Sequence, residues 1–412
     1  MADHDAAPPA RPPLMSRVNT TAILELIRRR GPISRAEIAR QLRLSGSTVT
    51  RLTAELIEAG LVVQEATPGV SSGGRPPILL SFNQRAAALI AVDVGGSSTT
   101  VVLADLDGHT LTRRTLPSCQ PGGHAITPQE VVALVQEAAS HASALGLPVR
   151  GVAIGVPSIT RHQEGVVVLA PALGWKEVPL GALVREATQL PTFVENDVNL
   201  AALGEYTAGA GRGVAALVAV LVGTGIGAGI VIDGRLYRGV HDAAGEIGYL
   251  LVGRESLHHT YPGFGHLERL AGGHGIAEEA RAALAARHGP LPPGWPRDLR
   301  QLTARDVFRL ADRDPVAAAI VERATDYLAI AVANIAALLN PQRIVLGGGV
   351  ILGNPHLIGA IRDRLAGRIP DLPEIVRAEL GDEAVLVGAV ALARERTSGY
   401  AFVQTLEHSA RA

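Results

Sequence analysis

The sequence predicts a small helical unit with a β wing, followed by a larger α/β unit with two lobes. Short amphipathic segments with helix caps occupy residues 20–60, and a pattern of strand, glycine turn and helix begins near residue 87. Three glycine-rich turns in the second unit each follow a strand rich in valine or isoleucine, which indicates two lobes facing a cleft. We assign residues 1–13 to a disordered arm, 14–82 to the small unit and 87–412 to the large unit.

The composition is that of a globular chain without a membrane span or a disulfide. The 412 residues are 47% hydrophobic and carry a net charge of −1. Cys119 is the single cysteine, so no intrachain disulfide forms and a reducing cytoplasm is the expected location. Residues 214–232 contain no charge, but their glycines favour two buried strands around a turn over a membrane helix. The arm lacks the basic and apolar regions of a signal peptide.

Three helices are predicted in the small unit. The first spans residues 20–30, with Asn19 as its candidate N-cap and Gly31 as its end. The second begins after Ser34, with Glu37 three residues later in capping-box register. The third spans residues 46–59 and ends at Gly60.

The third helix is predicted to direct polar side chains outward near its start. These are Ser47, Thr48, Thr50 and Arg51. In a helix-turn-helix, side chains at this place reach base edges, while arginines and hydroxyls hold phosphates. Residues 14–82 contain nine arginines and five glutamates, a net charge of +4, which leaves −5 for the rest of the chain. The segregated positive charge predicts binding to double-stranded DNA.

Two predicted strands, residues 61–65 and 78–82, frame a wing at residues 67–77. Arg75 precedes a proline, which favours an extended backbone, and is therefore placed to enter a minor groove. A protein-docking module of three helices and a hairpin is the alternative for this unit.

The glycine turns of the large unit are candidates for holding a nucleotide. Asp93 ends an apolar strand and precedes Gly95 and Gly96, which lets backbone amides approach a phosphate while the carboxylate lies near its metal ion. Glycine pairs also form simple hairpins, so one such turn is a weak indication. The other two turns contain Gly223, Thr224, Gly225, Gly347 and Gly348.

Residues 193–199 place a carboxamide and a carboxylate where an apolar strand meets an alanine-rich helix. The positive end of the helix stabilises the carboxylate of Asp197, which is placed to bind a hydroxyl or to take its proton. The alternative is that Asn196 and Asp197 only cap the helix.

Taken together, these motifs resemble those of the ROK family, which gathers repressors, open reading frames and sugar kinases. The resemblance spans nearly the whole chain and rests on residues 93–96, 195–199, 201–205, 223–227, 244–248 and 347–349. It implies an actin/hexokinase-like fold with a sugar bound between two lobes and, in the family's kinases, a catalytic base at the place of Asp197. The N-terminal winged helix-turn-helix implies the branch of regulators similar to the xylose and N-acetylglucosamine repressors.

Several positions depart from the family's pattern. Ser97 and Ser98 stand where the kinases have threonine and lysine. The family's zinc ligands fall on Tyr249, His259, Tyr261 and His266, so no cysteine ligand remains and zinc is not expected, although His258, His259 and His266 form a weaker candidate set. Tyr249 and Ala172 also replace family sugar contacts, which implies an atypical sugar.

The favoured prediction is a DNA-binding regulator, a repressor of carbohydrate genes, whose large unit binds a sugar. The predicted sugar contacts are Asn196, Asp197, Glu246 and Glu268. Trp175 either lines the cleft or fills the core. A homodimer or higher oligomer is expected because DNA operators are commonly two-fold symmetric.

The main alternative is an ATP-dependent sugar kinase with an attached DNA-binding unit. In that case Asp197 is the base, Asp93 organises magnesium and the glycine turns hold the nucleotide. ATP and magnesium are predicted only under this alternative. A third possibility is a constitutive DNA-binding protein with a vestigial cleft.

Overall fold

The first unit combines three helices with a small antiparallel sheet in a computed structural model that describes residues 12–65, 78–119, 125–259, 265–287 and 290–397. In chain order its elements are α1 (Pro12–Arg30), β1 (Ile33–Ser34), α2 (Arg35–Leu42), α3 (Gly46–Glu58), β2 (Val62–Glu65) and β3 (Leu79–Phe82). The strand order is β1-β3-β2, so a short strand before α2 joins the predicted hairpin. The predicted wing, with Arg75, lies outside the described residues.

Local caps place α2 and α3 where the sequence predicts them. The hydroxyl of Ser34 accepts a hydrogen bond from the backbone N–H of Glu37 at 3.2 Å, and that of Ser45 accepts one from Thr48 at 3.2 Å. Gly60 follows α3 with a φ of 71°, the left-handed conformation that glycine adopts without strain.

The predicted start of the first helix is wrong. Helix α1 begins at Pro12, so Asn19 lies inside the helix and is not its cap. Proline is tolerated in a first turn because the N–H groups there have no helical partner. The rest of the predicted arm, residues 1–11, lies outside the described part of the chain.

The first lobe of the large unit is built on a mixed sheet with the order β11-β7-β4-β5-β6. A small second sheet, β10-β9-β8, lies between β7 and β11 in the chain. The elements are β4 (Ala88–Val94), β5 (Ser98–Asp105), β6 (Thr110–Pro117), α4 (Pro128–Ala144), β7 (Val149–Val156), β8 (Ile159–Arg161), β9 (Val166–Ala170), β10 (Trp175–Val178), α5 (Leu180–Thr188), β11 (Thr192–Asn196) and α6 (Asp197–Ala208).

The second lobe repeats the plan of the first. Its sheet has the order β14-β13-β12-β15-β16, and the parallel and antiparallel pairings fall at the same places as in the first sheet. The elements are β12 (Ala216–Val222), β13 (Ile226–Ile232), β14 (Arg235–Leu236), α7 (His266–Ala271), α8 (Gly273–Ala285), α9 (Ala304–Leu310), α10 (Pro315–Leu339), β15 (Arg343–Gly347), α11 (Gly348–Gly353), α12 (His356–Leu365), β16 (Glu374–Arg377) and α13 (Ala384–Thr397).

The uncharged stretch at residues 214–232 forms strands β12 and β13, as predicted. Among the described residues, no helix combines the length and the apolar composition needed to cross a membrane.

Two helices connect the lobes through a close glycine contact. Helix α6 packs on β12 and β13, α13 packs on β4 and β7, and the two helices pack against each other. A Cβ atom at Gly388 would overlap the carbonyl oxygen of Leu200, and one at Gly204 would overlap that of Ala384. Glycine at both places therefore permits the close approach of α6 and α13.

The first unit is packed against the first lobe. Leu61 and Phe82 contact both the core of the first unit and an apolar cluster that contains Leu106 and part of α13. Arg28 of α1 forms an ion pair with Asp107 of the β5–β6 turn at 3.1 Å. The guanidinium of Arg394 in α13 donates to the carbonyl of Leu106 in the same turn at 3.3 Å. The two units are therefore joined by packed side chains as well as by the chain itself.

Candidate functional site

Helix α3 presents a polar surface at its N-terminal half. Ser47, Thr50 and Arg51 are exposed and Thr48 is half-buried, while Val49 and Leu52 are buried in the core of the unit. This alternation follows from the helical spacing of the apolar residues.

These polar groups are held by local contacts. The hydroxyl of Ser45 lies 3.0 Å from that of Ser47 and 2.8 Å from that of Thr48. The guanidinium of Arg51 pairs with Glu55 at 2.6 Å, with both side chains more than half exposed. Exposed pairs of this kind are weak, so Arg51 is free to exchange its partner for a phosphate.

In the large unit, Asn196 rather than Asp197 caps helix α6. The side-chain oxygen of Asn196 accepts from the backbone N–H of Asn199 at 3.0 Å, and its amide nitrogen donates to the carbonyl of Ser158 at 3.1 Å. Asp197 accepts a hydrogen bond from the N–H of Val198 at 2.8 Å through one carboxylate oxygen. The capping alternative therefore applies to Asn196 and leaves the role of Asp197 open.

Burial and neighbouring carboxylates disfavour a charge on Asp197. Burial raises the pKa of Asp197 to about 7, with further contributions from the charges of Asp93 and Glu246, against the N–H of Val198, which lowers the pKa. Asp93 is the last residue but one of β4, Gly155 of β7 lies beside it, and Glu195 of β11 lies beside Gly155. Strand pairing thus brings Asp93 and Asp197 to the same end of the sheet, where parallel strands end.

Asp93 has a raised pKa for similar reasons. Burial raises the pKa of Asp93 to about 6, with contributions from Asp382 and Glu383, while Arg113 opposes the shift. Arg113 also forms an ion pair with Glu383 at 2.8 Å. Asp382 and Glu383, which lie immediately before α13, were not predicted as part of the site, because nearly three hundred residues separate them from Asp93 in the sequence.

Glu246 and Glu268 add two more carboxylates to this group. Burial, followed by the charge of Glu268, raises the pKa of Glu246. Glu268 accepts backbone hydrogen bonds from Ile226 at 3.0 Å and from Gly265 at 3.3 Å, so it also holds the start of α7 and the turn before β13. The structure therefore brings together Asp93, Asp197, Glu246 and Glu268.

The glycine turns occupy corresponding ends of the two sheets, and each also has a structural reason for glycine. A Cβ atom at Gly225 would overlap the carboxylate of Glu268, and Gly348 has a φ of 82° beside the carbonyl of Val222. The N–H of Gly95 donates to the carbonyl of Ser98 at 2.9 Å across the bend after β4. Nucleotide binding by these turns remains a prediction.

An ion pair beside Asp197 was missed by the sequence analysis. Arg238 pairs with Glu195 at 2.7 Å, and Glu195 is 1% exposed. The second oxygen of Glu195 accepts from the backbone N–H of Asn196 and from the side-chain amide of Asn199, both at 3.0 Å. Glu195 and Arg238 are 43 residues apart, and no local pattern connects them.

Comparison with known proteins assigns the larger unit. A model of the ROK family matches residues 89–396, which is most of the chain. The chain belongs to the ROK family. A model of the MarR family matches residues 15–70, the region of the helix-turn-helix.

The same architecture occurs in ROK regulators. The xylose repressor of Bacillus spizizenii is 28% identical over 387 residues, which cover 92% of this chain and 96% of the repressor. The crystal structure of a ROK family transcriptional regulator, a homolog of the E. coli MLC protein, matches with a TM-score of 0.76 at 27% identity and covers 95% of this chain and 99% of that chain. The glucokinase of Halalkalibacterium halodurans is 33% identical over 315 residues, which cover 74% of this chain and 95% of the glucokinase. The regulators thus match nearly the whole chain, and the kinase matches a smaller part.

The histidines near the cleft of this ROK protein are dispersed. His258 and His259 are exposed, whereas His266 is buried and its Nδ1 lies 3.0 Å from the hydroxyl of Ser256. Within the described ranges, no three His, Cys, Asp or Glu side chains are grouped to hold a metal ion.

The two aromatic residues singled out in the sequence differ in environment. Trp175 is 5% exposed, and its Nε1 donates to the carbonyl of Ile126 at 3.0 Å within the first-lobe core. Tyr249 is 60% exposed, and burial, with Glu246 and Glu268, raises the pKa of its hydroxyl. Trp175 therefore fills the core, and Tyr249 lies close to the acidic cleft.

Proposed function

We propose that this ROK protein is a DNA-binding repressor of carbohydrate genes whose large unit binds a sugar effector. The observation that carries the proposal is that one chain combines the exposed polar face of α3 with four clustered carboxylates, in two units that pack against each other. Ser47, Thr48 and Thr50 are placed for base edges or phosphates, and Arg51 for a phosphate. Such a repressor acts on DNA in the cytoplasm.

The cleft suits a ligand with several hydroxyl groups. A carboxylate accepts hydrogen bonds from hydroxyl groups and a protonated carboxyl also donates one, so Asp197, Glu246 and Glu268 suit a ligand rich in hydroxyl groups in either protonation state. The amide of Asn196 adds a group that both donates and accepts. The similarity to xylose repressors places xylose first among the sugars to be tested.

Sugar binding regulates DNA binding only if the arrangement that binds DNA and the arrangement that does not bind DNA differ in their affinity for the sugar. A sugar that binds better to an arrangement of the lobes that cannot bind DNA lowers the DNA affinity. By linkage, bound DNA lowers the sugar affinity by the same factor. The packed contact between α1 and the β5–β6 turn supplies a physical connection for this effect. We expect a homodimer that places two α3 helices on a two-fold symmetric operator.

A gel-shift experiment tests the proposal. The full chain is mixed with the DNA that precedes its own gene, with and without a panel of sugars. We expect a shift that Arg51→Gln weakens and that the effective sugar reverses. Arg300→Gln is the matched control, because Arg300 is 91% exposed and lies far from α3 in the chain. Folded protein that shifts no DNA under any condition contradicts the proposal.

Asp197→Asn separates the sugar site from the DNA site. The variant is expected to bind DNA like the original protein and to lose its response to the sugar. If the variant responds to the sugar normally, Asp197 is not a sugar contact.

An ATP-dependent sugar kinase is the second candidate function. The raised pKa of Asp197 favours it, because a general base acts best with a pKa near the working pH. Asp93 would organise magnesium, and the three glycine turns would hold the nucleotide. ATP and magnesium are proposed as cofactors only in this case, and zinc is not proposed as a cofactor.

A coupled phosphorylation assay with ATP and aldoses tests the second candidate. Turnover that Asp197→Asn abolishes would support the kinase, whereas turnover that Asp197→Asn leaves intact would come from a contaminant.

A further inference from the structure

One loop of the second lobe reaches the first lobe beside the sugar cleft. The loop at residues 237–246 follows β14 and ends at Glu246. It is anchored to its own lobe, because the N–H of Tyr237 donates to Ile230 and the N–H of Ala228 donates to Gly245, both at 2.8 Å. The loop therefore moves together with the second sheet when the second lobe moves.

The loop makes two polar contacts with the first lobe. Arg238 pairs with the buried Glu195 of β11 at 2.7 Å. Asp242 accepts from the backbone N–H of His162, in the β8–β9 turn, at 3.2 Å, and lies 2.7 Å from the Nδ1 of the same residue. Both contacts join the two lobes, so each one contributes to holding the lobes together, and the loss of either one favours their separation.

The contact of Arg238 has a particular effect on the sugar site. Glu195 holds the N–H of Asn196 and the side chain of Asn199 through one oxygen and Arg238 through the other. The pair therefore fixes the strand end that carries Asn196 and Asp197 relative to the loop that carries Glu246. The side chains of Arg238 and Glu195 are 15% and 2% exposed, so the attraction between them is weakly screened.

We propose that Arg238 is a positioning residue that, with the His162–Asp242 contact, latches the lobes in the closed arrangement that binds the sugar. Arg238 needs no contact with the ligand for this role. The sugar-binding part of the proposal rests on the proposed function, whereas the latch itself does not. Loss of the latch shifts the protein toward an open arrangement and reduces the sugar affinity by the fraction of closed molecules that is lost.

The distance between the lobes provides the direct test. Cys119 is the only cysteine and is exposed in the first lobe, and Ala318 is exposed on α10 of the second lobe. Spin labels on Cys119 and on Ala318→Cys report the lobe distance without sugar or DNA. We expect Arg238→Met to give a longer or broader distance distribution, Arg238→Lys to restore part of the original one, and Arg300→Met to leave it unchanged.

A second variant guards against a folding defect. Arg238→Met leaves Glu195 as an unpaired buried charge, whereas the double variant Glu195→Gln/Arg238→Met leaves neither charge buried alone. Asp242→Asn weakens the other contact and keeps a residue type that tolerates its φ of 57°. If the folded double variant keeps the original distance distribution, the latch is wrong.

Sugar binding gives a separate readout. For a sugar that the original protein binds, we expect the double variant to bind at least several-fold more weakly, while Arg300→Met binds normally. Equal sugar affinity in the double variant contradicts the positioning role. If the original protein binds no sugar, the proposed function fails, and the spin-label distances still decide the latch.

Discussion

Asp197 combines two properties that are usually separate in a binding site. It accepts a hydrogen bond from Val198 at the start of a helix, which favours its charge, yet it is half-buried among other carboxylates, which disfavours the charge. The pKa of about 7 shows that burial and repulsion outweigh the helix terminus. A hydroxyl-rich ligand relieves part of this cost by donating to the carboxylate, which gives the cleft a physical reason to bind sugars.

The raised pKa makes stability depend on pH in a defined direction. The folded state keeps a proton on Asp197 that the unfolded state releases between pH about 4 and the folded pKa of about 7. Stability from this group is therefore present at low pH and is lost as the pH rises through that window. Asp197→Asn removes the charge, so we expect it to raise the melting temperature more at pH 8 than at pH 5.

Thermal unfolding of both proteins at the two pH values measures this effect. Asp233→Asn is a suitable control because Asp233 is exposed in a turn with a φ of 50°, which asparagine tolerates. An equal change at pH 5 and pH 8 for Asp197→Asn would contradict a raised pKa.

Glu205 is a buried carboxylate with a structural role. Its oxygens accept backbone hydrogen bonds from Ala210 at 2.8 Å, Glu379 at 3.2 Å and Leu380 at 2.8 Å. Glu205→Ala leaves these N–H groups without their partner, so we expect a loss of about 3 kcal/mol in the free energy of unfolding. Denaturant titration measures the loss, with the exposed Glu186→Ala as the control. A change below about 0.5 kcal/mol, the size of an ordinary surface effect, would be incompatible with this role.

At the scale of elements, the contact between α6 and α13 has little tolerance for added volume. Gly388→Ala would place a methyl group on the carbonyl of Leu200, so the two helices must separate. We expect this change to lower the free energy of unfolding by about 1–3 kcal/mol, as overpacking does elsewhere. Chemical denaturation provides the measurement.

The matched control is a glycine in an open helical position. Gly359 lies in α12 with no atom within 4 Å of an added Cβ. Gly359→Ala should raise stability by about 0.5–1 kcal/mol, since alanine is the better helix former. If both substitutions change stability in the same direction, the close approach of α6 and α13 is not the limiting factor.

At the scale of the whole molecule, a substitution in the Arg28–Asp107 ion pair tests whether this contact couples sugar binding to DNA binding. Their side chains are 22% and 34% exposed, so the pair contributes about 1 kcal/mol or less to stability. We expect Asp107→Asn to leave DNA binding without sugar nearly unchanged and to raise, several-fold, the sugar concentration that releases the DNA. Gel shifts over a sugar titration measure the effect. Arg29→Gln is the control because Arg29 is 70% exposed and pairs with Glu25 on its own helix; a normal sugar response in Asp107→Asn would exclude this pair from the connection.

Predictions from the sequence were reliable where contacts are local. Ser34 caps α2 through an N–H three residues away, and α3 begins at Gly46, as predicted. Local reasoning failed at α1, where it took two prolines as part of a disordered arm although both are accepted in a first turn.

The features of the site that could not be predicted from the sequence depend on contacts between residues that are far apart in the chain. Asp197 was predicted from its segment, and Glu246 and Glu268 from the resemblance to the ROK family, and the structure brings the three together. The pair of Arg238 with Glu195 required the fold, because an arginine in a loop carries no sign of which distant carboxylate it meets. The sequence already offered Asn196 as a helix cap, whereas its hydrogen bond to the carbonyl of Ser158 required the fold.

The apolar contact between the first unit and the first lobe limits which fragments of the chain are stable in water. Leu61 and Phe82 cover an apolar face that includes Leu106, so a fragment that begins at residue 87 would expose that face to water. Such a fragment should self-associate unless polar residues replace the uncovered ones. In a protein of this architecture, the gain or loss of the DNA-binding unit therefore requires a matching change of this face.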